Sequence, residues 1–250
     1  MSLLPHPTGN YLFLPGIAPY SCGAVSADGY EIIQVTFQSP PPLEKGFSEL
    51  QQFLKDRNRP ISALCGISLR SPKPYTFEGF SQFNAGYAQT LKNWGIFADD
   101  MNPVARTNVA PVVDPPKSPV LYGFSFTSPA KPGLPATFVI AGAGELPEGV
   151  LERDSIFSLG NTTSEGLKSK SDFVMNLMER RLFGLGQTWQ QVTVANIYTR
   201  HEIRSVLENQ VLSRMKGSSI HGAHWHYSAP PIEEIEFEMD MRGTRTEIRL

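Results

Sequence analysis

The chain predicts a mixed α/β protein built from two tandem copies of one small unit. Segments patterned as strand, helix, strand, helix, strand, strand occur in that order twice, at a spacing of roughly 120 residues. A Pro/Gly-rich string, SPAKPGLP at 128–135, separates the two occurrences and has the composition of a connector. The length of 250 residues accommodates two ordinary domains with proper cores. The expected division is a first module over 1–128, a linker over 129–136 and a second module over 137–250. One mixed α/β domain would generate the same list of elements.

In the first occurrence, residues 30–38 (YEIIQVTFQ) are β-branched and aromatic, follow an Asp-Gly turn signal and stop at three prolines. Residues 42–56 then place Leu43, Phe47, Leu50, Phe53 and Leu54 on one helical stripe. Residues 61–69 read as a strand, and 76–94 as a second helix with Phe77, Phe80, Phe83, Tyr87 and Leu91 at spacings of three and four. Two short strands, 107–113 and 120–127, follow around Asp114-Pro115-Pro116.

The second occurrence runs in the same order. It comprises a strand at 137–143, a helix at 168–185, a strand within 189–199, a shorter helix at 203–215, and strands at 221–227 and 235–242. Residues 234–242 (EIEFEMDMR) alternate strictly, with Ile235, Phe237, Met239 and Met241 on one face and Glu234, Glu236, Glu238 and Asp240 on the other. Such a carboxylate row is either solvated surface or the lining of a polar cavity.

The net charge of −2 supplies no basic field for phosphates, so nucleic acid is not the expected partner. Two cysteines, Cys22 and Cys65, are too few for a disulfide framework, which fits a reduced cytoplasmic setting. The first sixteen residues lack a basic segment and are broken by proline and glycine, unlike a secretory signal. No apolar run approaches the ~20 residues needed to cross a bilayer, so no membrane is expected.

Several strings resemble the Rid (reactive intermediate deaminase, YjgF-like) family, also labelled endoribonuclease L-PSP. IAPYSCGAV at 17–25 is similar to its N-terminal Gly-Pro-Tyr segment, which sets Tyr20 on the pocket tyrosine. FNAGY at 83–87 resembles its Val-Asn-Ala-x-Tyr helix, with Asn84 on the pocket asparagine. PVARTNVAPVVDP at 103–115 resembles its Pro-Ala-Arg-Ser strand, with Arg106 on the carboxylate clamp and Asn108 where a cysteine is common. In the second half FVIAGAGELP at 138–147 puts Gly144 on the glycine whose N–H faces the ligand, and the terminal strand puts Glu236 on the water-holding carboxylate. His221 falls on the arginine position there, and the first half has no carboxylate matching Glu236.

The resemblance implies two modules of chorismate-mutase-like fold, each a mixed sheet with two helices on one face. It implies a homotrimer with pockets between subunits or modules, where an Arg106 half meets a Glu236 half. The function it implies is a cofactor-free, metal-free hydrolase that deaminates an imine or enamine of a small carboxylate-bearing metabolite. In that chemistry an arginine fork binds the carboxylate and a glutamate polarises water for attack on a C=N carbon. The alternatives are a metabolite-binding protein without turnover, or a diverged lyase, tautomerase or cyclase. A ribonuclease is disfavoured by the acidic balance.

His221, His224 and His226 (HGAHWHY) form a second constellation. On a strand His224 and His226 share a face and are spaced to chelate a metal. The preferred reading is that they line a wall or an interface, because the sequence fixes no third ligand.

Overall fold

The computed structural model describes residues 2–250. Three short strands precede the first one expected from the sequence: β1 (Leu4–Pro5), β2 (Tyr11–Leu14) and β3 (Gly23–Ser26). They form antiparallel hairpins held by buried Tyr11, Phe13, Leu14 and Val25. The first half then follows the expected order: β4 (Tyr30–Thr36), α1 (Leu43–Asp56), β5 (Leu64–Arg70), α2 (Phe77–Asn93), β6 (Ala105–Pro111) and β7 (Val120–Pro129). The second half contributes β8 (Phe138–Gly144), α3 (Ser164–Gly184), β9 (Val194–Thr199), β10 (His224–Ala229) and β11 (Glu238–Gly243), and β12 (Glu247–Arg249) closes the chain.

The helical stripes behave as their spacing requires. In α1 the residues Phe47, Leu50, Phe53 and Leu54 are buried against Phe124 and Phe126 of β7. The Thr76 hydroxyl caps α2 by accepting from Gly79 N at 3.1 Å, and Thr163 caps α3 through Gly166 N at 3.1 Å. Such caps are worth about 1 kcal/mol. Helix α3 starts at Ser164, four residues before the expected start at Lys168, because the polar NTTSEG string supplies a cap and a first turn.

The second half departs from the expected pair of helices. In place of one helix over 203–215 the chain makes Arg204–Val206, a π-helical turn Leu207–Leu212 and Ser213–Met215, followed by a 3-10 segment Lys216–His221. The buried anchors explain it. Val206 and Val211 are five residues apart, and the wider π turn brings an i, i+5 pair onto one face.

All twelve strands lie in one sheet of order β1-β2-β3-β8-β11-β9-β10-β6-β5-β7-β4-β12. Its middle repeats one pattern: β4-β7-β5-β6 and β8-β11-β9-β10 share the same sequence of antiparallel, antiparallel and parallel pairings. The two sets meet where β10 pairs with the end of β6. Helices α1 and α2 cover one face of the first set, with Phe124, Ile67 and Leu121 beneath them, and α3 covers the second over Ile197, Met239 and Met241.

The opposite faces turn toward each other. Val139 and Ala141 of β8 pack with Cys65, Ala105 and Ile32, and a Cβ on Gly66 would come within 3.3 Å of Val139. The ends cross between halves. β3 extends the second set beside β8, whereas β12 lies parallel to β4 at the edge of the first. A cut at 129–136 therefore does not separate two self-contained sheets. Among the described residues no helix is long and apolar enough to cross a membrane.

Candidate functional site between the two halves

A cavity of about 70 Å³ is walled by Arg106 and Asn108 of β6, Tyr20 of the β2–β3 loop, Gly142 and Gly144 of β8, and Glu238 of β11. Residues 146–151 complete its lining.

Strand alternation sends Arg106 and Asn108 to the same side of β6. The Arg106 guanidinium sits among rings, 4.6 Å from the Tyr20 centroid, 4.9 Å from Tyr87 and 5.3 Å from Phe80. It is 3% exposed, and its Nη1 has no hydrogen-bond partner. Among the described residues no carboxylate lies within 4.0 Å of it. Burial lowers its pKa, yet an arginine stays charged at any working pH. A buried cation with free donors and no anion in the chain is costly unless a ligand completes it.

Tyr20 is fixed by backbone. Ser21 N donates to Val104 O at 3.0 Å, Asn102 Nδ2 to Pro19 O at 2.8 Å, and Ser21 Oγ to Pro103 O at 2.9 Å. Ser71 Oγ donates to Asn108 Oδ1 at 2.9 Å, which leaves the buried Nδ2 as a free donor.

Glu238 enters from the other half. It stands opposite Gly144 on β8, beside a register shift between Met239 and Met241. Its carboxyl fills the space that a Cβ on Gly142 would need. Burial, and next the charge of Asp240, push its pKa up to about 8, against the pull of Arg106 and Arg181. At neutral pH it is a protonated acid. Arg106 and Glu238 sense each other's charge without forming an ion pair.

On the far wall Arg181 binds Glu148 bidentately, at 3.1 and 2.6 Å, and donates to Ala141 O at 2.9 Å. Burial opposes ionisation of Glu148, but Arg181 more than offsets it and holds that carboxyl below its usual range. Burial pushes the adjoining Cys22 thiol up to about 11, so it is no nucleophile at neutral pH.

Of the residues expected from the sequence, Arg106, Tyr20, Asn108 and Gly144 line this cavity. Asn84 is buried on the Phe80 and Tyr87 face of α2 with Oδ1 unpartnered, and it does not reach the cavity wall.

Glu236 requires a correction. It precedes β11 and is taken up by Arg200, at 3.1 Å, and His201 Nε2, at 2.7 Å, outside the cavity. The alternation is right in sign but two residues out of register, and Glu238 is the carboxyl that faces Arg106's cavity. His221 is also corrected. It ends the 3-10 segment, exposed and away from both β10 and the cavity, and the strand pairing puts Trp225 where the first half has Arg106. His226 bonds Asn196 Oδ1 at 3.1 Å and stacks on Tyr198, as a wall residue does. Sequence reasoning missed the Arg181–Glu148 pair altogether, because its partners lie 33 residues apart.

Fold and cavity together define a mixed α/β protein with a small polar cavity built from both halves of the sheet. A solved structure of a chorismatase aligns with a TM-score of 0.51 and 14% identity, covering 89% of this chain and 77% of that one, a likeness of fold alone. The family model described as 2-aminomuconate deaminase CnbZ matches residues 3–248. The 2-amino-5-chloromuconate deaminase of Comamonas testosteroni is 37% identical over 237 residues, 94% of each chain. The chain belongs to the 2-aminomuconate deaminase CnbZ family.

This overturns the resemblance to the Rid family. Strings such as ARTN and FNAGY are a few residues long and follow strand and helix patterns, whereas the CnbZ match spans nearly the whole chain. The trimer with shared pockets was implied by that resemblance and has no other support.

Proposed function

We propose that the protein is an enzyme, a hydrolytic deaminase of 2-aminomuconate or a ring-cleavage relative of it, with Arg106 and Glu238 as its central residues. The names of its family and of its Comamonas relative support the substrate class. The observation that carries the site is the buried Arg106 guanidinium, which lacks an anion and faces a cavity shared with a protonated carboxyl. We read the repeated strand order as two diverged copies of one module joined near 129–136, the first supplying the arginine and the second the acid.

A 2-aminomuconate is a dienamine flanked by a carboxylate at C2 and ending in a second carboxylate. The C2 carboxylate sits on Arg106 and Asn108 Nδ2, as a charge-assisted pair in a dry setting. The neutral Glu238 carboxyl gives its proton to a carbon of the dienamine, and the nitrogen lone pair forms the C2=N bond of an iminium. The carboxylate so formed takes a proton from water as that water adds to C2. The resulting carbinolamine collapses with transfer of its hydroxyl proton to nitrogen. Ammonia leaves, C2=O forms, and Glu238 is protonated again. One water is consumed for each ammonia released. A carboxylic acid kept neutral near pH 7 by burial is suited to the first step.

Two expectations follow from this chemistry. In a pH–rate profile, kcat/KM falls as pH rises through about 8, because Glu238 loses the proton it must donate. The kcat limb lies higher, since a bound carboxylate neutralises Arg106 and removes its pull on Glu238. Arg106→Met is expected to raise KM for 2-aminomuconate by roughly 30- to 100-fold, the loss of a charge-assisted pair. It should not lower the melting temperature, because an unpaired buried charge is removed. Ammonia release from 2-aminomuconate is the direct test. Purified protein that releases none would exclude this function.

A further inference from the structure

Three arginines are more than nine-tenths buried: Arg181, Arg106 and Arg70. Arg181 has its carboxylate within the chain in Glu148. Arg106 faces the cavity described above. Arg70 faces a different one, of about 210 Å³, bounded by the sheet faces turned away from the helices.

Arg70 closes β5. Its Nη1 donates to Leu69 O at 2.9 Å, and among the described residues it has no other hydrogen-bond partner and no carboxylate within 4.0 Å. The guanidinium lies on the Tyr122 ring at 3.9 Å and near Tyr198 at 5.5 Å. The Tyr122 ring occupies one side of the guanidinium, and Arg70 lines the cavity with most of its N–H donors unused.

The acids on the same wall are engaged. Asp240 accepts from Asn196 Nδ2 at 2.7 Å and from Tyr198 Oη at 2.9 Å, and Glu247 accepts from Arg242 Nε at 2.9 Å. His226, stacked on Tyr198 at 4.9 Å, is neutral, because burial and then the Arg70 charge lower its pKa to about 4. Arg249 adds a further cation to the lining. The cavity is therefore polar: among the described residues Arg70 has no carboxylate within ion-pair distance, and Asp240 is held only by the neutral Asn196 and Tyr198.

We infer that this cavity is a second ligand site, for a small carboxylate gripped at its planar end by Arg70, with Tyr122 and His226 as its flanks. A flat dicarboxylate of four carbons suits both the volume and the fork. The inference stands apart from the deaminase function, since no residue argued to bind or react with the aminomuconate contributes its side chain to the Arg70 grip.

Calorimetric titration with fumarate tests it. The wild-type protein is expected to bind at two sites, and Arg70→Met and Arg106→Met at one site each. Arg70→Met that binds fumarate as the wild type does, or Arg106→Met that binds none, would overturn the inference. A second measurement covers an Arg70 variant that fails to fold. In Arg106→Met, fumarate is expected to shift the ring resonances of His226, and their constancy at saturating fumarate would equally overturn the site. Failure of the deaminase assignment would show separately, as absence of ammonia release from wild-type protein.

Discussion

Glu238→Gln is expected to lower kcat by roughly 10³-fold, the usual scale for loss of a positioned general acid. Glutamine keeps the shape that fits over Gly142 and keeps an N–H donor, but it has no proton to give to carbon. The same variant should be more stable than the wild type, increasingly so as pH rises. The folded-state pKa of Glu238, about 8, stands above the ordinary 4.5, so between these values the native state holds a proton that the unfolded chain has released. The stabilisation from that proton is full below about 4.5 and is lost as pH rises through about 8. Glutamine stays neutral throughout. Thermal melts at pH 6 and pH 9 check the second claim and ammonia release the first. A variant that is both active and unshifted would remove Glu238 from its role.

Lys170→Met is expected to cost about 3–5 kcal/mol of stability, the range for breaking a buried pair from one side. Lys170 Nζ reaches Glu145 Oε1 at 2.9 Å and Phe157 O at 3.1 Å, and both side chains of the pair are fully buried. Glu145 in turn accepts from the backbone N–H groups of Glu236, at 2.7 Å, and Phe237, at 3.1 Å. Methionine leaves the carboxylate without its cation. For a chain of this size the loss corresponds to a fall in Tm of roughly 6–20 °C. Because Glu145 pins the backbone that leads into Glu238, the folded fraction should also lose activity. Adding Glu145→Gln to the variant should restore part of the stability, since no buried charge then remains. A melting temperature within 2 °C or so of wild type would show that the pair contributes little.

The order of elements was legible because periodicity is local. The stripes of α1 and α2 and the β-branched runs of β4 and β5 announce themselves within ten or fifteen residues. The ends were not legible. β1 and β12 have two and three residues, too short to carry a period, and β12 pairs with β4, some 210 residues earlier. Arg106 and Tyr20, singled out through short strings of the Rid resemblance, both line the cavity.

Glu238 was visible only as one member of a row. Alternation states which face a carboxylate takes, but which carboxylate meets the cavity depends on register, here set by the irregularity opposite residues 141–142 and by Glu145 holding Glu236 and Phe237. The Rid resemblance failed for a related reason: short strings report local shape, and family membership is a property of the whole chain.

The crossing of the chain ends also bears on how the two halves persist as one object. Each half's outer rim is sealed by strands encoded at the opposite terminus, β3 beside β8 and β12 beside β4. A half released alone would present raw backbone along that rim, the condition under which sheets recruit strangers. Mutual custody of the rims ties the halves together independently of the segment at 129–136. It also leaves neither half with a sheet complete in itself.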